Sequence, residues 1–232
     1  MPTDDERYPV EAPGWAAIDR ALGMAHPGVV PHQFASKTAY DLDSSSPLPA
    51  VSVYEGVGPD HWHYVTYGLT ELFEKTSADP DVSGFGYELT FRLPRTAGEE
   101  RPPIWPIRLL QGIGHYVLSG HASLDTGHVI GLGGPLCPAG EGEAETVLHG
   151  VVCVPDPAIA KIPTPHGSVL FLLLFGLTAE ELEALEGWEL RRKVGLVHEV
   201  APAGITDPRR PPLADDPRTA PIWRRHLLGI LI

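Results

Sequence analysis

The stretch that most constrains this chain is VLFLLLFGL, Val169 to Leu177, which runs directly into TAEELEALEGW. Val169 to Phe175 is apolar at both strand parities, the pattern of a central strand covered on each face. Its nine residues are about half of the ~20 that a membrane-spanning helix requires. Thr178 and Glu181 then stand in capping-box spacing, with Leu182 and Leu185 on one face of the helix they would start. A doubly covered strand that feeds a helix needs layers on both sides of a sheet. The chain is therefore read as a mixed α/β fold, a central mixed sheet flanked by helices.

The remaining segments supply those layers. PGWAAIDRALGMAHPG sets Trp15, Ile18, Ala21 and Leu22 on one helical face between Gly and Pro punctuation. Val51 and Val53 mark a strand ending at Gly56. In HWHYVTYGL, extended geometry puts Trp62, Tyr64 and Thr66 on one side, with His61, His63, Val65 and Tyr67 on the other. Thr70 is expected to cap a brief helical turn. FGYELTFRL then alternates Tyr87, Leu89, Phe91 and Leu93 against Glu88, Thr90 and Arg92.

WPIRLLQGIGHYVLSG opens with Pro106 in a first helical turn and buries Ile107, Leu110, Ile113 and Val117. Gly112 and Gly114 weaken that helix by roughly 1 kcal/mol each, and close packing on a sheet is the expected reason for them. Short strands follow near His128–Leu132 and Thr146–Val154. This organisation gives a flexible lead over residues 1–12, one domain over 13–206, and a Pro/Arg-rich arm with an apolar tail over 207–232.

Charge and cysteine content narrow the function. With 17 Lys and Arg against 30 Asp and Glu, the net charge of −13 repels phosphate backbones and anionic lipids, so neither nucleic acid nor a membrane surface is an expected partner. Cys137 and Cys153 lack a CxxC or a disulfide framework and read as buried free thiols, although the sequence leaves a disulfide open. The acidic N-terminus has no signal-peptide pattern, and a cytoplasmic location is expected.

Few residues invite chemistry. His61 and His63 share a strand face and could bind a metal with a third ligand such as His115, His121 or His128. A metal-dependent enzyme built on His61, His63 and His128, with Glu88 as a further group, is the alternative reading. No HExxH, GxSxG or GxGxxG supports it, and GLGG at Gly131–Gly134 reads as a turn. Glu88, on a half-buried strand, is expected to be a buried ion pair or hydrogen-bond anchor, with Arg92 on its own face or a histidine across the sheet as candidate partners. No catalytic residue, metal or cofactor is expected.

In this order, PGWAAIDRAL, HWHYVTYGLTELF, SGFGYELTFRLPR, PPIWPIRLLQGIGHYVL, GHVIGLGGPL and IPTPHGSVLFLLLFGLTAEELEAL resemble the suppressor of fused family over about residues 13–200. The resemblance implies the fold of the family's N-terminal domain, and it makes His61, Trp62, His63, Tyr64 and Glu88 parts of a structural motif. It also implies a non-enzymatic protein-binding role. Animal members hold a transcription factor by taking a short extended segment of it beside a strand, in a cleft between two domains. Bacterial members resemble the N-terminal domain and are associated with immunity against polymorphic toxins, so a basic toxin domain is one implied partner. Tyr116 and His128 match family positions near that cleft. Gly127 stands where animal members carry an acidic residue, with Asp125 two places earlier. Tyr116, Asp125 and His128 are therefore the expected partner-binding residues.

Overall fold

The structure is a computed structural model and describes residues 11–35, 47–56, 60–137 and 146–230. The lead expected over residues 1–12 falls largely outside them. Helix α1 (Pro13–Ala25) and strands β1 (His32–Ala35), β2 (Ala50–Gly56), β3 (His61–Tyr67) and β4 (Val82–Pro94) come first. Helix α2 (Trp105–Leu118), β5 (Val129–Gly131), β6 (Leu148–Pro155), β7 (Ile162–Thr164) and β8 (Gly167–Thr178) follow. Helices α3 (Ala179–Leu185), α4 (Leu190–Val200) and α5 (Ala220–Leu227) complete the order.

One mixed sheet carries the fold in the order β1-β2-β3-β4-β8-β6-β5, with β7 also pairing β8. The apolar run is its centre, as its two-faced pattern requires. β8 pairs parallel with β4, Leu89 opposite Leu172, and antiparallel with β6, Val152 opposite Phe175. Every other pairing is antiparallel.

Alternation along the strands builds two layers. Trp62, Tyr64, Leu89, Phe91, Leu172 and Leu174 face α2, where Trp105, Leu110, Ile113 and Val117 cover them. The opposite face is covered twice. Ile18 and Leu22 of α1 pack on Val65, Tyr67, Val169 and Phe171. Leu185, Leu196 and Val197 of α3 and α4 pack on Val152, Leu173 and Phe175. Leu213 and Trp223 share this last cluster, so the segment from Asp207 docks on its own chain. There Arg210 pairs with Glu181, the same carboxylate that completes the Thr178 capping box.

Two local expectations are corrected. The residues after Thr70 form bends and no helical turn. Thr70 instead donates its amide (3.0 Å) and hydroxyl (2.6 Å) to Glu88 Oε1, because a buried carboxylate offers a stronger acceptor than a frayed turn. The two glycines of α2 also differ. A Cβ on Gly114 would lie 2.6 Å from Leu48 Cδ1, whereas one on Gly112 would meet nothing within 4 Å. Close packing accounts for Gly114 alone.

Candidate functional site

His63 of β3 belongs to a buried network. His63 is fully buried; its Nδ1 meets His26 Nε2 at 2.8 Å and its Nε2 meets Asp156 Oδ2 at 3.1 Å. Asp156 also accepts from Thr90 Oγ1 (2.8 Å), Arg92 Nη2 (2.5 Å) and the Ala158 amide (2.9 Å). Arg92 in turn donates to the Ala203 carbonyl at 2.9 Å. These groups fill the seam between the α1 cluster and the α3–α4 cluster, where two apolar patches meet the same sheet face.

Electrostatics fix the proton positions there. Burial pushes the Asp156 carboxyl up, but His63, Arg92 and the Ala158 amide outweigh that and hold it well below the usual range. Burial lowers His63 against the pull of Asp156, and burial together with His63 lowers His26 to about 4. A neutral His63 then donates Nε2–H to the carboxylate and accepts at Nδ1 from His26.

The alternative metal site does not assemble. Both ring nitrogens of His63 are engaged, and no group of three or more His, Cys, Asp or Glu side chains suited to a metal occurs among the described residues. His128 lies beside β5, four strand spacings from β3, or roughly 19 Å. The His61 ring packs over Gly56, its cross-strand partner, where a Cβ would fall 2.0 Å from it.

Glu88 is a buried hydrogen-bond anchor, but not with the partners expected of it. It pairs with neither Arg92 nor a histidine; it accepts from Thr66, Thr70 and the amides of Gly68, Leu69 and Thr70. Burial raises its pKa against those donors. Trp62 donates to Glu99 (2.8 Å) and Tyr64 to the Pro103 carbonyl (3.0 Å), so this pair holds the connector into α2. Cys137 and Cys153 are both buried, and burial raises the Cys153 thiol to about 12.

A groove of about 1230 Å³ opens elsewhere, at the end of the sheet. Strand β5 terminates the sheet order, so its outer edge has no strand neighbour among the described residues. The His128 carbonyl accepts from Cys153, and the Leu132 amide donates to His149. Even-numbered residues thus turn toward β6, and strand alternation aims the main-chain groups of Val129 and Gly131 outward. Leu109, Ile113 and Tyr116 of α2 wall the groove on one side; Leu182 and Glu183 of α3, with Glu186 just after it, wall the other.

Three pins fix this edge. Tyr87 of β4 accepts from the Leu124 amide at 3.1 Å, Lys193 of α4 donates to the Gly127 carbonyl at 2.9 Å, and Gly127 donates to Cys153 at 2.7 Å. Gly127 adopts φ +83°, and a Cβ there would lie 2.7 Å from Leu190 Cδ1. An acidic residue at this position is therefore strained in this chain.

The three expected binding residues are divided by the geometry. Tyr116, 45% exposed and stacked on His121 at 5.3 Å, lines the groove, and so does His128. Asp125 does not line it; its amide donates to His128 Nδ1 at 3.1 Å, which leaves the neutral ring proton on Nε2. The sequence reading missed the walls. The α3 carboxylates had a visible signal in their i, i+3 spacing, but the proximity of α2 to β5 had none.

The residues match the family model for suppressor of fused protein over 44–211. The suppressor of fused homologues of Homo sapiens and Mus musculus are 36% and 35% identical over 196 residues, 78% of this chain. The chain spans about 39% of the length of these relatives. The crystal structure of the Sufu–Fu complex superposes with a TM-score of 0.80 at 28% identity, covering 96% of this chain and 99% of that one. Drosophila Suppressor of Fused gives the same TM-score and identity over 94% of this chain and 54% of that one. A homologue from Neisseria gonorrhoeae shares the fold alone, with a TM-score of 0.58 at 14% identity over 86% of this chain and 96% of that one. On the family model and on the extent of the human and mouse matches, this chain belongs to the suppressor of fused family.

Proposed function

We propose that the chain is a non-enzymatic binding module that takes an extended polypeptide segment onto the outer edge of β5. The open edge between two helical walls carries the reading, because a strand added there would continue the sheet and be covered on both faces as the other strands are. The complex of a similar chain with Fu supports a polypeptide ligand. The His26–His63–Asp156 cluster is buried and its members bond to one another, which supports a structural role for it in place of catalysis.

The charge of −13 favours a basic partner by steering, and an immunity protein that covers a basic toxin domain is the sharper form of this reading. Photo-crosslinking tests the surface. A benzophenone residue at Tyr116 is expected to capture a polypeptide in the native host, and one at Val30, 86% exposed and outside the groove, is not. Equal capture at both positions, or at neither, refutes the groove as the binding surface.

A further inference from the structure

The two walls of the groove differ chemically, and the sheet geometry assigns each to one set of ligand side chains. Ile130 packs into the cluster under α2, and Val129 packs into the cluster under α3 and α4. An added strand continues this pleat, so its side chains alternate between the same two faces. Those on the α2 side meet Leu109, Ile113 and Tyr116; those on the α3 side meet Leu182 flanked by the exposed carboxylates Glu183 and Glu186.

The cations of the groove leave this division intact. Lys193 keeps its charge but is held at the Gly127 carbonyl, and the two carboxylates Glu183 and Glu186 outnumber it, so the α3 wall stays net acidic. Arg108 stands on α2 eight residues before Tyr116, about 12 Å along the helix, so the Tyr116 end of that wall is apolar.

We infer that the groove selects an extended segment with a period-two pattern, apolar residues at alternate positions and Lys or Arg between them. This rests on the strand-addition reading above and adds the chemistry of the ligand to it. Main-chain bonds to Val129 and Gly131 are sequence-neutral. Choice of partner therefore falls to the walls, with Glu183 and Glu186 as its charged determinants.

The test pans the purified chain against a random dodecapeptide display library. Enriched peptides are expected to alternate apolar with Lys or Arg. A synthetic peptide from that set, with its Lys and Arg changed to Glu, should bind at least tenfold more weakly. A Glu183→Lys, Glu186→Lys variant should reverse that order, and because both side chains are exposed its melting temperature should match the parent's. If the variant keeps the parent's preference, the charge inference is overturned and strand addition stands. If no peptide is enriched, or if N-methylating the backbone of an enriched peptide leaves its affinity unchanged, the strand-addition reading fails and takes the inference with it.

Discussion

Replacing Asp156 by Asn tests whether the seam network holds the sheet face together. The carboxylate accepts four hydrogen bonds, from Arg92 and Ala158 on Oδ1 and from His63 and Thr90 on Oδ2. An amide keeps one acceptor oxygen, and its NH2 must confront donors on the other side. Keeping that oxygen on Arg92 is the least damaging arrangement, and it forces the His63–His26 pair to reverse its tautomers. Removing one partner of a buried ion pair destabilises by about 3–5 kcal/mol, and the surviving neutral bond puts this case at the lower end. For a chain of this length, about 3 kcal/mol lowers the melting temperature by roughly 6–12 °C. Urea titration should show the midpoint falling with the slope unchanged. Combined with Arg92→Met, the Asp156→Asn change should cost clearly less than the sum of the two single variants, a coupling that independent sites do not show. A loss under about 0.5 kcal/mol in Asp156→Asn, or strict additivity in the double variant, refutes the account.

Acid stability follows from His26. Its pKa near 4 in the fold, against 6.5 in the unfolded chain, means the unfolded state binds the extra proton between those values. Stability from this group is complete above pH 6.5 and falls as pH drops toward 4, by at most on the order of 3 kcal/mol. A His26→Gln variant should show a shallower fall in urea midpoint over that window. In α2, Gly112→Ala should stabilise by up to about 1 kcal/mol, whereas Gly114→Ala should destabilise by about 1–3 kcal/mol by pressing on Leu48. Paired thermal melts distinguish the two. Gly127→Asp should cost about 1–3 kcal/mol by forcing a positive φ, and it should raise amide hydrogen exchange at Val129–Gly131 ahead of the remaining sheet.

The parts of this fold legible in the sequence were those set by local periodicity. Val169–Phe175 announced a central strand, Thr178 and Glu181 a cap, and Tyr87–Leu93 a two-faced strand, because each depends on neighbours within one turn or one pleat. Pairing at long separation left no such trace. The parallel match of Leu89 with Leu172 and the convergence of His26, His63, Arg92 and Asp156 join residues up to 130 positions apart. Asp156 itself stands between Pro155 and Pro157, and no local pattern there marks it as the carboxylate at the centre of that network. Tyr116 and His128 were found through family resemblance, and the walls around them became visible only once α2 and α3 were placed on opposite faces of the β5 edge.

The depth of the groove then has an energetic reason. The β5 edge is three residues long and turns the main-chain groups of only Val129 and Gly131 outward, enough for about four hydrogen bonds. At roughly 0.5–1.5 kcal/mol net apiece, these supply a few kcal/mol. Association itself costs about 4–15 kcal/mol in lost freedom, so the bare edge captures nothing with useful affinity. This protects an open strand from indiscriminate pairing, a hazard that longer flat edges carry. Binding must draw its remaining energy from side chains seated against Leu109, Ile113 and Tyr116 on one face and against the α3 wall on the other. The edge sets the ligand's conformation, and the walls decide which sequence can pay for adopting it.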